Sequence, residues 1–163
     1  MTHLNNIQNK IIDRKNLNEQ LQQWKKENKK IVFTNGCFDI LHLGHIDYLS
    51  KAADMGDVLL IGLNADESVS RLKGPHRPIN NEQSRGMILA ALEFVNAVVK
   101  FEEDTPYELI KQVQPDVLVK GADYKIEQIV GHDVVQAKGG EVRTIDYLPG
   151  YSTSGIEKKI KEG

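Results

Sequence analysis

The chain has 163 residues, which suits one domain whose core buries most of its apolar surface. It is 40% hydrophobic and 27% charged with a net charge of −2, the composition of a globular protein. That balance excludes a broad basic surface for nucleic acid but not a few cations placed for a small anion. The single cysteine, Cys37, cannot form an intrachain disulfide and fits a reducing compartment. No apolar run approaches the roughly 18 residues that a membrane span needs. The polar start MTHLNNIQNK lacks the apolar stretch of a signal peptide, so the expected location is cytoplasmic.

Residues 1–9 are polar and are expected to be mobile. Residues 16–29 carry Leu17, Leu21 and Trp24 at spacings of four and three, which predicts an amphipathic helix. Five short apolar runs follow and read as strands: 30–34, 57–64, 96–101, 116–120 and 141–145. Helical patterns lie between and after them at 45–55, 65–72, 81–94, 106–113, 131–138 and 153–161. The helix at 106–113 follows Thr105, a residue suited to the N-cap, with Pro106 at the first helical position.

Strands alternating with helices predict parallel strands joined by right-handed crossovers. Near-continuous apolar strands predict a sheet covered on both faces. The expected fold is α/β: one Rossmann-like, doubly wound parallel sheet of five strands, in a single domain over 1–163. Such sheets bind ligands beyond the carboxyl ends of their strands, where strand order reverses. That directs attention to residues 34–45, 64–77, 120–124 and 146–154.

The first of these carries the strongest signal, TNGCFDILHLGH over 34–45, directly after the first strand and opening a helix. Gly36 permits a tight reversal, and Gly44 leaves the backbone open to close approach. Free amides at the start of a helix favour an anion. His42 and His45, three apart, can face one ligand and donate to phosphate oxygens. Isolated, such a pair also reads as helix capping or as half a zinc site. His3, His76 and His132 are scattered and no cysteine pair exists, so zinc is disfavoured and no protein-held metal is expected.

An HxGH element after a first strand resembles the nucleotidyltransferase superfamily. Ser152-Thr153-Ser154, before the last helix, resembles that superfamily's Ser/Thr motif for the nucleotide's outer phosphates. RLKG at 71–74 followed by Arg77-Pro78, FEEDTP at 101–106 and LVKGADY at 118–124 narrow the resemblance. Together they resemble the bacterial D-glycero-β-D-manno-heptose 1-phosphate adenylyltransferases over residues 10–161. Ser154 stands where threonine is commoner, and the downstream cation is met only by Glu157-Lys158-Lys159.

The resemblance implies adenylyl transfer from ATP to a heptose 1-phosphate, giving ADP-heptose and pyrophosphate for lipopolysaccharide or heptose-glycan precursors. His42, His45 and Lys73 are the implied catalytic set. Thr34, Asn35, Gly36, Cys37, Phe38, Gly44, Lys120, Gly121, Asp123, Tyr124, Ser152, Thr153 and Ser154 are the implied nucleotide contacts. Asp39, Asn64, Asp66, Arg77 and Arg85 are candidates for the acceptor. Asn64 and Asp66 read equally as sugar ligands or helix caps. Asp39 reads as metal ligand, histidine orienter, sugar ligand or loop brace. A nucleophilic Cys37 is disfavoured, because a phosphate acceptor requires no covalent enzyme intermediate. The implied cofactor is Mg²⁺, carried mainly by ATP phosphates.

The implied partners are ATP, a sugar 1-phosphate and a separate heptose kinase, because the family's fused kinase domain is absent from this chain. No nucleic acid or membrane partner is expected, and a homodimer is compatible. The rival readings are a nucleotidyltransferase using CTP or another phosphorylated acceptor such as glycerol 3-phosphate, a non-catalytic nucleotide-binding module, and a tRNA-synthetase fragment.

Overall fold

A computed structural model describes residues 1–163. The five expected strands form one parallel sheet: β1 (Ile31–Gly36), β2 (Val58–Asn64), β3 (Ala97–Phe101), β4 (Val117–Gly121) and β5 (Glu141–Ile145). Their spatial order is β3-β2-β1-β4-β5. The chain steps outward from β1 to β3, then returns to lay β4 on the other side of β1. The reversal between β1 and β4 is the switch point of a doubly wound sheet.

Eight α-helices accompany the sheet: α1 (His3–Asn9), α2 (Leu17–Lys26), α3 (Leu43–Ala53), α4 (Asp66–Lys73), α5 (Glu82–Ala90), α6 (Tyr107–Val113), α7 (His132–Ala137) and α8 (Thr153–Glu162). Alternate residues of each strand point to opposite faces. Phe33, Leu60, Val99 and Leu118 pack with Leu17, Trp24, Leu109, Ile110 and Val135, from α2, α6 and α7. Val32, Leu59, Ile61, Val98 and Val119 pack with Tyr48, Leu49, Leu89 and Ala90, from α3 and α5. Two cores on two faces account for the uninterrupted apolar strands. No helix is long and apolar enough to cross a membrane.

Three expectations need correction. Residues 1–9, for which no helix is expected, are largely helical. Thr2 caps α1 in a reciprocal pair with Asn5, and Ile7 packs against the α3–α5 core. The helix expected over 81–94 stops at Ala90, and Ala91–Asn96 turn the chain into β3. Thr105 does not cap α6; the N-cap is Pro106, whose ring carries no hydrogen-bonding group.

Candidate active site

The sheet opens at the switch point. β1 and β2 pair through six residues, Ile31 to Gly36, whereas β1 and β4 pair only through Val32–Val117 and Phe33–Leu118. Beyond those two pairs side chains bridge the gap. The hydroxyls of Thr34 and Tyr48 lie 2.8 Å apart and reach the Val119 carbonyl at 3.0 and 3.1 Å. Thr34 is fully buried. Contrary to expectation it braces the split rather than meeting the nucleotide, and Tyr48, unflagged in the sequence, shares that task.

Above the split lies a cleft of about 940 Å³. Its floor is Asn35, Gly36, Cys37, Phe38 and Asp39, with His42, Gly44 and His45 at the start of α3. On the β2–β3 side it meets Asn64, Leu72, Lys73, Arg77, Asp104 and Thr105. On the β4–β5 side it meets Lys120, Gly121, Tyr124, Tyr147, Tyr151, Ser152, Thr153 and Ser154. All the expected site residues line it except Thr34, Asp66, Arg85 and Asp123. A second cavity of about 1040 Å³ lies beside β3 and contains none of them. Size does not select between the two; the concentration of cations, imidazoles and hydroxyls at the switch point does.

The histidines both cap and face the cleft. His42 is the N-cap of α3, and its Nδ1 accepts the Gly44 N–H at 3.1 Å. His45 Nδ1 accepts the His42 N–H at 3.3 Å. With both Nδ1 atoms accepting, each neutral ring carries its proton on Nε2. Burial lowers the pKa of both, and the neighbouring ring helps bring His45 down to about 4. At neutral pH the site therefore presents two uncharged imidazoles with Nε2–H donors.

The glycines act differently from expectation. Gly36 ends β1 without a positive φ; the left-handed residue in the turn is Phe38, at φ 47°. A Cβ on Gly36 would stand 2.9 Å from the Phe38 ring, so Gly36 makes room for that ring. A Cβ on Gly44 would stand 2.9 Å from His42 and 3.2 Å from Tyr151. Its absence lets the first histidine fold back over its own helix. The Gly44 amide is used by His42 and is not free for an anion.

The acidic and basic candidates divide. Asp39 is buried and held by three donors: it accepts from Arg77 Nε at 2.8 Å, Ile79 N at 2.7 Å and Asn80 N at 2.8 Å. Burial alone would raise its pKa, but these hydrogen bonds outweigh that and hold it below the usual carboxylate range. Of the four readings open to it, loop brace is the one this geometry favours. Arg77 also reaches Glu157 of α8 at 3.3 Å.

Arg85 is buried and donates to the carbonyls of Asn80, Cys37 and Asn64 and to the Asp66 carboxylate. It and Asp66 tie the ends of β1 and β2 together. The expected acceptor role does not fit Arg85, whose guanidinium is buried with no open face, whereas the Asp66 carboxylate is only partly covered. Asn64 lines the cleft, and its side-chain amide donates to Ser68.

Lys73 and Lys120 line the cleft with no carboxylate partner within ion-pair distance. Lys73 ends α4 beside Gly74, which has φ 107°. Lys120 sits 5.6 Å from the Tyr124 ring centre, and burial lowers its pKa. These two ammoniums give the cleft its uncompensated positive charge. The sequence marks Lys120 only as a nucleotide contact; its charge facing the cleft is a nonlocal feature of the fold.

Cys37 is a thiol, its pKa raised chiefly by burial despite nearby Lys73 and Arg85. Asn35 Oδ1 is a buried acceptor without a protein partner. Ser152 caps α8 through Gly155 N at 3.0 Å, which leaves Ser154 and the Tyr151 side chain on the cleft wall. Tyr147 covers Gly121, where any Cβ would collide with its hydroxyl, and its pKa is pushed up to about 12 by burial and then by Asp123.

The cytidylyltransferase-like family profile matches residues 33–159, which include the whole cleft. The chain belongs to the cytidylyltransferase-like family. The bifunctional protein HldE of Wolinella succinogenes is 51% identical over 160 residues, covering 98% of this chain and 33% of that protein. HldE of Nitratiruptor is 58% identical over 136 residues, covering 83% of this chain and 29% of that protein. The chain thus spans about a third of the length of the curated relatives it matches.

Among solved structures, a lipopolysaccharide core biosynthesis protein from Thermoplasma volcanium superposes with a TM-score of 0.59 at 29% identity, over 74% of this chain and 97% of the other. A pantoate-β-alanine ligase from Francisella tularensis, solved with a β,γ-ATP compound and β-alanine, gives a TM-score of 0.56 at 17% identity, over 93% and 76%. At that identity the likeness concerns the fold. Cytidylyltransferase-like membership and the parallel five-stranded architecture therefore agree.

Proposed function

We propose that this cytidylyltransferase-like chain transfers the adenylyl group of ATP to D-glycero-β-D-manno-heptose 1-phosphate, releasing pyrophosphate. The observation that carries the reading is the pair of histidines at the start of α3, each held through Nδ1 and lining the cleft, flanked by Lys73 and Lys120 without carboxylate partners. Identity above half with HldE proteins supports the heptose acceptor, and so does the likeness to a lipopolysaccharide core biosynthesis protein.

The chemistry follows from charge. A phosphate monoester has its second pKa near ~6, so the acceptor is mostly a dianion at neutral pH. It needs no general base. One of its oxygens attacks the α-phosphorus in line, forming a P–O bond, while the bond to the β-phosphate oxygen breaks and pyrophosphate takes the electron pair. The obstacle is the approach of two anions, so catalysis rests on position and charge.

His42 and His45 donate Nε2–H to the α-phosphate oxygens as charge develops there. Being neutral in the free protein, they do so as oriented dipoles, and their orientation is set in advance by the backbone bonds at Nδ1. Lys73 and Lys120 offset the anionic charge, and the wall formed by Ser152, Thr153 and Ser154 receives the departing phosphates. Gly121 and Tyr124 border the base and ribose.

Mg²⁺ fits as an ion borne by phosphates. No group of three metal-binding side chains forms a cage, and the floor carboxylate Asp39 already accepts three hydrogen bonds from the protein. Mg²⁺ commonly keeps phosphate and water ligands, and it would supply charge neutralisation there. A sugar kinase activity must supply the acceptor.

Pyrophosphate release tests the reading across ATP and CTP, each with heptose 1-phosphate, a hexose 1-phosphate and glycerol 3-phosphate. ATP with heptose 1-phosphate is expected to give the highest kcat/KM. A clear preference for CTP or glycerol 3-phosphate would overturn the substrate assignment.

A further inference from the structure

We propose that the loop carrying Asp104 and Thr105, held in place by Arg71, forms the wall that reads the hydroxyls of the acceptor sugar. This assignment rests on the nucleotidyl-transfer reading of the cleft.

The cleft has two ends on either side of the histidines. The β4–β5 end offers Gly121, Tyr124 and Tyr147, suited to a base and ribose. The opposite end is formed by Leu72 and Lys73 of α4 and by Asp104 and Thr105, which follow β3. In-line displacement requires the nucleophile to approach opposite the leaving group, so the second substrate needs space of its own beyond the α-phosphate.

The polar inventory of this end matches a polyhydroxylated ligand. Thr105 lines the cleft and is not spent as a helix cap, so its hydroxyl can both donate and accept. Asp104 gives one carboxylate oxygen, Oδ1, to Arg71 Nε at 2.7 Å. Its other oxygen remains able to accept from a sugar hydroxyl. Lys73, two residues beyond Arg71, is placed for the phosphate of the same ligand.

Arg71 is the positioning residue. Its Nε holds Asp104, and its Nη2 donates to the Glu102 carbonyl at 2.7 Å, so one guanidinium fixes both the backbone and the side chain of the loop. Two stretches, 71–74 and 101–106, are far apart in the chain yet joined by these bonds. The Arg71–Asp104 pair is exposed, with 47% and 61% of the side chains accessible, and exposed pairs add little to stability. What the geometry provides is a pre-arranged loop, which lowers the ordering cost of binding.

The test is steady-state kinetics of Thr105→Val, Asp104→Asn and Arg71→Ala, with thermal unfolding followed in parallel. Thr105→Val and Asp104→Asn are each expected to raise KM for heptose 1-phosphate about tenfold while KM for ATP stays within about twofold. Arg71→Ala is expected to raise the acceptor KM and to narrow the kcat/KM ratio between heptose 1-phosphate and mannose 1-phosphate. Unchanged acceptor KM in the two loop variants, or an equal rise for ATP, would overturn the assignment. A wild-type chain that transfers to neither sugar would instead overturn the proposed function beneath it.

Discussion

His45 Nδ1 accepts the backbone N–H of His42 at 3.3 Å, and the two imidazole rings lie 3.9 Å apart. Each ring thus spends one nitrogen on the start of α3 and keeps the other for the cleft. Capping and ligand binding, which compete as readings of the sequence, are compatible, because capping uses only one nitrogen of each ring.

Variants separate the two tasks. His42→Ala and His45→Ala are each expected to lower kcat roughly 10²-fold, the cost of one preorganised donor to a transition-state oxyanion. His42→Ala should also lose about 1 kcal/mol of stability with the cap, whereas His42→Asn retains a capping acceptor and loses only the Nε2–H. Stopped assays with urea unfolding check this. Near-normal kcat in folded His42→Asn would remove that histidine from the chemistry.

The pH dependence has a defined sign. The folded pKa of His45, about 4, lies below its ordinary value of 6.5, so on acidification the unfolded chain takes the proton first. The stability from the neutral ring is fully present above pH 6.5 and is lost as pH falls from 6.5 through about 4. Unfolding free energy measured across that window should fall less steeply in His45→Gln than in wild type. An imidazole NMR titration placing His45 at or above 6.5 would contradict the neutral-donor account.

Gly44→Ala tests why a glycine follows the first histidine. The added methyl meets the His42 ring at 2.9 Å and the Tyr151 Cβ at 3.2 Å, so the ring and the wall before α8 must shift. A fall in kcat of ~10-fold or more is expected, because a small misplacement of a catalytic group is costly. Wild-type kcat would show that the ring orientation is not critical.

Arg85 is expected to matter for folding more than for substrate contact. Arg85→Met leaves the Asp66 carboxylate and three carbonyls without their partner. Breaking a buried charge pair in this way costs roughly 3–5 kcal/mol, and partial exposure of Asp66 should bring the loss toward the lower end. Denaturant titration reads it, and a loss below about 1 kcal/mol would contradict the brace.

Much of this architecture is legible in the chain. Strands buried on both faces write themselves as uninterrupted apolar runs, and DVLLIGLN over 57–64 is the plainest case. The HxGH and Ser/Thr elements are local, and each caps a helix whose start can be read from neighbouring residues. What escapes is nonlocal. Nothing near Arg85 shows that it will meet the carbonyls of Cys37 and Asn64, and nothing near Thr34 shows that β1 and β4 part beside it. Helix α1 is hidden because its polar sequence is secured by a cap and by Ile7 rather than by an apolar stripe.

Direct transfer is the central claim, and a single-turnover reaction tests it most directly, with enzyme in excess over α-phosphorus-labelled ATP and with heptose 1-phosphate added. The account predicts that label passes to a product with the mass of ADP-heptose, matched by pyrophosphate, with none retained on protein and with Cys37→Ser behaving like wild type. Label held covalently on the chain, abolished by Cys37→Ser, or ATP bound without acceptor-dependent pyrophosphate would contradict it.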